Sequence, residues 1–130
     1  MNKLDRYAPY ALAALRIIAA LLFFEHGLMK LVGFPAPQPG GPLTPLSTAA
    51  GIIEIAGGTL IALGLFTRPA AFICSGMMAV GYFVAHAPQG FWPALNMGDA
   101  AILFCFVFFY LTFAGPGAFS VDGAMRGRKA

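Results

Sequence analysis

Apolar residues run along this chain in four long blocks: Tyr10 to Val32, Leu46 to Phe66, Pro69 to Ala87 and Met97 to Ala114. Each comes close to the roughly 20 predominantly apolar residues that cross a bilayer as a helix, at about 1.5 Å rise per residue. The first break, Gly33 to Pro45, contains five prolines and three glycines and cannot continue a helix. The second, Thr67-Arg68-Pro69, is so short that spans two and three are predicted to form an antiparallel hairpin. The third, Pro88 to Asn96, carries Phe91 and Trp92, aromatic residues suited to a membrane–water interface. After Gly115-Pro116-Gly117 the tail is polar and basic. The expectation is a single all-α domain over residues 1–130, a transmembrane four-helix bundle.

Composition agrees. The 130 residues are 59% hydrophobic and only 10% charged, against about 45–50% and about 25% in an ordinary soluble domain. A water-soluble monomer of this composition could not cover its surface with polar groups. That excludes a soluble globular enzyme, a disordered segment and a nucleic-acid-binding domain. The pI near 9.1 is not matched by a basic stripe for a phosphate backbone. Arg16, Glu25 and His26 interrupt the first apolar run, so it reads as a retained helix rather than a signal peptide. Cys74 and Cys105 lie inside apolar runs, where small buried packing is the expected role.

The few charges sort by position. Lys3, Arg6, Arg68, Arg126, Arg128 and Lys129 fall in the tails and the second connector, and the first and third connectors carry no charge. By the positive-inside rule, four spans then place both termini in the cytoplasm and the proline-rich connector outside. The tails and second connector hold six bases and two acids, while the spans hold Arg16 and Lys30 against Glu25, Glu54 and Asp99. The interior is therefore slightly acidic.

Charges at membrane depth cost roughly 2.5–3.5 kcal/mol each on the insertion scale, so they default to functional hypotheses. Counting from the span ends places Glu25, His26, Lys30, Glu54, His86 and Asp99 in the outer half of the bundle, from four separate helices. One shared polar chamber under the Pro/Gly connector accounts for all six. His26 and Lys30 are four residues apart on one helical face, and Tyr82 and His86 repeat that offset. Glu25 points about 100° away from His26. Ala50, Gly51, Gly57 and Gly58 lie one turn from Glu54 and leave room for a long side chain from a neighbour. Lys30 and Arg16 are the candidate counter-ions.

Each residue also has a structural reading. Glu54 could be a helix-joining ion pair, and His26 a satisfied packing histidine. His86 and Asp99 could be solvated end residues, and Arg16 could snorkel to the cytoplasmic interface. The row Ala50, Glu54, Gly58 and Ala62, flanked by Gly51 and Gly57, suits close helix approach. The phenylalanines of span four read mostly as lipid-facing bulk. No helical His-x-x-x-His or Glu-x-x-His pair supports a metal site.

The ordered set of short motifs resembles the DoxX family of small four-span membrane proteins. Span one carries Arg16 and then His26-Gly27-x-x-Lys30. Span two reads Glu54-x-x-Gly57-Gly58-x-Leu60, then Gly64-Leu65-x-Thr67-Arg68-x-Ala70-Ala71, and the end reads Gly115-Pro116-Gly117-x-x-Ser120-Val121-Asp122. At Asp99 many relatives look to carry glutamate, and the shorter side chain reaches less far. The family takes its name from a membrane component of thiosulfate:quinone oxidoreductase, and some relatives look like membrane partners in thiol-redox and oxidative-stress assemblies. The resemblance implies the bacterial cytoplasmic (inner) membrane, and a protein partner or a homo-oligomer.

Three functions compete. The first is a redox-linked membrane subunit with a quinone or another small molecule in the outer chamber. Glu54, Glu25 and His26 would then be the catalytic candidates, with Lys30, Arg16, His86 and Asp99 as ligand-binding ones. No haem, flavin or iron–sulfur motif is present in the sequence, so no intrinsic cofactor is expected and electrons would come from a partner or directly from substrate. The second is a non-catalytic anchor or assembly scaffold. The third is a transporter of protons or a small solute, which the lack of inner-half polar residues other than Arg16 weakens.

Overall fold

A computed structural model describes residues 2–129. The described residues are helical and contain no strand. After a short 3-10 turn at Asp5–Tyr7 come α1 (Ala8–Leu31), α2 (Pro45–Leu63), α3 (Thr67–Gly81), the four-residue α4 (Pro93–Asn96), α5 (Asp99–Ala114) and α6 (Val121–Lys129). Three helical stretches, Asp5–Leu31, Pro45–Leu63 and Thr67–Gln89, are long and apolar enough to cross a membrane. The fourth apolar block is a 16-residue helix, Asp99–Ala114. It rises about 24 Å, less than the roughly 30 Å of a hydrocarbon core.

Local sequence explains the boundaries. Thr44 opens α2 as a capping box: its Oγ1 accepts from the Ser47 N–H, while Ser47 Oγ accepts from the Thr44 N–H, and Pro45 occupies the first turn. Gly64 closes α2 at φ +68, and Leu65 N–H bonds back to Leu60 O at 2.9 Å, so the span ends earlier than Phe66. Beyond Gly81 the third span widens into a π turn over Tyr82–His86, then a 3-10 turn over Ala87–Gln89. Pro88 explains this: in an α-helix its ring would collide with the carbonyl four residues back, at Val84. The polar, basic tail is helical: Val121–Lys129 forms the nine-residue helix α6.

Packing divides the bundle into two close pairs, α1 on α2 and α3 on α5, which meet each other less closely. Glycines permit the first pairing. A Cβ on Gly58 would come within 3.0 Å of Ala20 O, and one on Gly27 within 2.9 Å of Gly51 O. The small-residue row of α2 therefore serves the bundle itself. A Cβ on Gly57 would collide with Cys74 Sγ, which is buried beneath it. Phe23, Phe104 and Phe108 stack at the centre, with Phe108 fully buried and Phe106 and Phe113 on the outer surface. Span four is thus part core and part outer bulk.

The two ends of the bundle differ. At one end the α2–α3 turn, the Gly115–Ser120 segment and the start of α1 come together. At the other, the Pro/Gly connector and the 82–98 segment border the cavities that Lys30 and Glu54 line.

Candidate functional site

The connector end brings four of the candidate side chains, His26, Lys30, Glu54 and His86, to one cavity. Lys30, in the last turn of α1, places its Nζ 2.7 Å from Glu54 Oε1 on α2. Glu54 is only 2% exposed and the Lys30 side chain 16%. Glycine makes this approach feasible, because a Cβ at Gly51 would press against Leu31 and the Lys30 stem. Of the two expected counter-ions, Lys30 is the one that pairs.

The pair forms part of the wall of a cavity of about 380 Å³ between α1 and α5. His26, His86, Phe23, Phe104 and Met78 also line it, and Gln38 and Pro39 of the connector close it from outside. His26 Nδ1 donates to Leu22 O at 2.8 Å, and His86 Nδ1 donates to Asn96 O at 3.0 Å. Because a carbonyl only accepts, each neutral ring carries its proton on Nδ1 and leaves Nε2 as an acceptor. The cavity thus offers an ammonium, a carboxylate, two imidazoles and aromatic walls. That is a suitable set for a flat apolar molecule carrying carbonyl or anionic oxygens. Among the described residues, no group of three or more His, Cys, Asp and Glu side chains is placed to hold a metal ion.

The remaining candidates are placed elsewhere. Glu25 is exposed and does not line this cavity. The 100° step from His26 explains it, since His26 and Lys30 already face inward. Asp99 is exposed as the first residue of α5, where its charge suits the helix N-terminus. Arg16 neither snorkels nor reaches the cavity. It is fully buried at the other end, donating to the carbonyls of Pro116, Ala118 (3.0 Å) and Phe119 (2.8 Å). That guanidinium holds the Gly-Pro-Gly turn against α1 and α2, a positioning role.

Two further elements were not legible as site parts. Asn96 is fully buried: its amide donates to Gly90 O (2.8 Å) and Tyr82 Oη (3.2 Å), and its Oδ1 accepts from Gly98 N–H (2.9 Å). It fixes the segment whose carbonyl orients His86. The π turn is the second, a feature that recurs at functional sites. Pro88 was the available signal for it. Cys105 is half-buried, with its Sγ 3.6 Å from Ser75 Oγ, and both cysteines are free.

Residues 11–87 match the DoxX family, over α1, α2, α3 and the π turn. The chain belongs to that family. This DoxX protein is 46% identical to an uncharacterized protein of Haemophilus influenzae, over 94% of this chain and 96% of that one. It is 30% identical to the inner membrane protein YphA of Escherichia coli (88% and 89% covered) and 28% identical to the inner membrane protein YqjF of the same organism (82% and 85%). No solved structure matches it. Together with its apolar helices, these relationships make the DoxX chain a multi-pass inner membrane protein in contact with the lipid bilayer.

Proposed function

We propose that this DoxX protein is the membrane-embedded subunit of a redox-linked complex and binds a quinone in the Lys30–Glu54 cavity. We place four spans in the membrane, with both termini in the cytoplasm and the cavity near the outer face. One observation carries the reading: a buried cation–carboxylate pair and two histidines with Nδ1 engaged share one aromatic-walled cavity. A bound quinone would accept two electrons from a partner redox protein and two protons. Lys30 Nζ is the donor available for a quinone oxygen, the free Nε2 atoms of His26 and His86 can accept from a hydroxyl of the reduced quinol, and Glu54 is the adjacent group able to hold a proton. The charge-free connectors support the topology.

The test is purification in mild detergent, with mass spectrometry of co-purifying proteins and lipids, followed by quinone titration of wild type, Glu54→Gln and His26→Ala. The expected result is retained quinone, a redox partner, and weaker binding in folded variants. Protein that neither retains quinone nor alters quinone turnover with its co-purified partners overturns the proposal. Reporter fusions at Gly40 and at the C-terminus check the orientation.

One observation favours a second reading, a non-catalytic assembly anchor: the Lys30–Glu54 pair itself joins α1 to α2. On that reading Glu54→Gln and His26→Ala lower recovery of the complex with no separable loss of activity.

A further inference from the structure

We propose that the ligand of the Lys30–Glu54 cavity carries a hydrocarbon tail, which lies in a slot between α2 and α3 that opens sideways to the lipid. The inference rests on the quinone reading and adds the route and the tail.

The slot is a second cavity, of about 350 Å³, lined by α2 on one side and by α3 and the π turn on the other. It adjoins the first, and Lys30, Glu54, Met78 and His86 line both. From this polar wall it runs past Ala50 and Gly81 to a rim formed by Leu46, Val80 and Val84. Those three are 60%, 59% and 52% exposed. Leu46 and Glu54 are eight residues apart on α2, so the slot extends about 12 Å along the helix.

Its chemistry changes along that length. The inner end is charged; Gln38, Thr44 and Ser47 line the connector end, and Leu46, Val80 and Val84 form an apolar edge on helices long and apolar enough to cross the membrane. An opening meant for water would leave these large apolar side chains solvated at its rim, whereas lipid matches them. The slot follows from the packing, since it lies where the α1–α2 pair meets the α3–α5 pair less closely. It is kept open by small residues: Ala50, Gly81 and Ala85 line it, and a Cβ on Gly81 would meet nothing within 4 Å. A polar head at Lys30–Glu54 and an alkyl chain between Ala50 and Gly81 satisfy both ends of the space.

The open surroundings of Gly81 supply the test. Gly81→Phe fills the slot without a clash at Cβ and replaces a poor helix former, so its unfolding temperature in detergent should be no lower than that of wild type. Binding of decylubiquinone and of ubiquinone-0, the same head without the tail, is measured in nanodiscs. Affinities are expressed against probe concentration in the lipid for the tailed compound. Gly81→Phe should weaken decylubiquinone by about tenfold, about 1.4 kcal/mol, and leave ubiquinone-0 within about twofold. Glu54→Gln should weaken both. If Gly81→Phe changes neither probe, or both equally, the tail assignment is overturned while the Glu54→Gln effect keeps the quinone reading. If neither probe binds wild type, the quinone reading falls and takes the slot with it. Val84→Trp provides the same block from the other wall should Gly81→Phe fail to fold.

Discussion

Lys30 Nζ lies 2.7 Å from Glu54 Oε1 across the α1–α2 interface, and the carboxylate is 2% exposed. Neither charge is stable there alone. Removing one partner of a buried pair leaves an uncompensated charge and costs about 3–5 kcal/mol, whereas replacing both with apolar groups is often neutral. Lys30→Met and Glu54→Leu should each destabilise by about that amount, and the double variant should recover most of it. Denaturant unfolding in detergent for the four proteins checks this. A double variant as unstable as the sum of the two singles contradicts it.

Arg16 acts at the other end. The variant Arg16→Met leaves the carbonyls of Pro116, Ala118 and Phe119 without their buried donor. Amide exchange and proteolysis over residues 115–127 should rise sharply. Lys30 lies fourteen residues further along α1, about 21 Å by helical rise, so quinone binding to the folded fraction should stay within about twofold. Loss of binding with an undisturbed C-terminal segment would place Arg16 in the ligand site after all.

Asp122 caps a helix to which it does not belong. Its carboxylate accepts from the Phe66 and Thr67 N–H groups at the start of α3, both at 2.9 Å. Burial pushes its pKa up, but the Thr67 and Phe66 hydrogen bonds and the Arg126 charge outweigh this and hold it below the usual value. A depressed carboxylate contributes stability that is complete above its ordinary pKa of about 3.9 and lost as pH falls through the folded value. Exchange at Phe66 and Thr67 should therefore be flat from neutral pH to about 5 once corrected for intrinsic rates. It should rise as pH drops below about 4. Asp122→Asn should remove that step and cost about 0.5–2 kcal/mol, the usual range for a cap. An unchanged acid profile in Asp122→Asn refutes the cap.

Glycines of the same sequence type should respond differently. Gly58→Leu forces a side chain against Ala20 O and Phe24, each within about 3 Å of the new Cβ, and overpacking costs about 1–3 kcal/mol. Gly76 has open space around its Cβ position, so Gly76→Ala should be neutral or stabilising by up to about 1 kcal/mol. Thermal unfolding of both separates a packing role from a general need for small residues.

Asn96→Leu removes an amide with three partners: Gly90 O and Tyr82 Oη lose its N–H donors, and Gly98 N–H keeps only its 3.2 Å bond to Pro93 O. The expected loss is about 0.5–1.5 kcal/mol for each hydrogen bond removed. With its orienting segment loosened, His86 should show a changed imidazole chemical shift. A folded variant with His86 unaltered would show that Asn96 only stabilises the connector.

The all-α class, the apolar blocks and membrane residence were set by the order of residues alone, because apolar length, Pro/Gly breaks and charge placement act locally. The same spacing placed His26 and Lys30 on one face, and the glycines around Glu54 advertised room for a neighbour. What spacing could not rank was the partner of each charge. Arg16 and Lys30 were both candidate counter-ions until packing put Lys30 beside Glu54 and Arg16 under the C-terminal turn. Glu25 and Asp99 shared the depth of the cavity but not its direction. Depth is a linear coordinate along a helix, whereas facing depends on how helices rotate against each other. Asn96, the Asp122 cap and the slot between α2 and α3 arise from contacts between distant segments. They exist only once glycine-mediated packing of α1 on α2, and the looser meeting with α3 and α5, fix which side chains share a space.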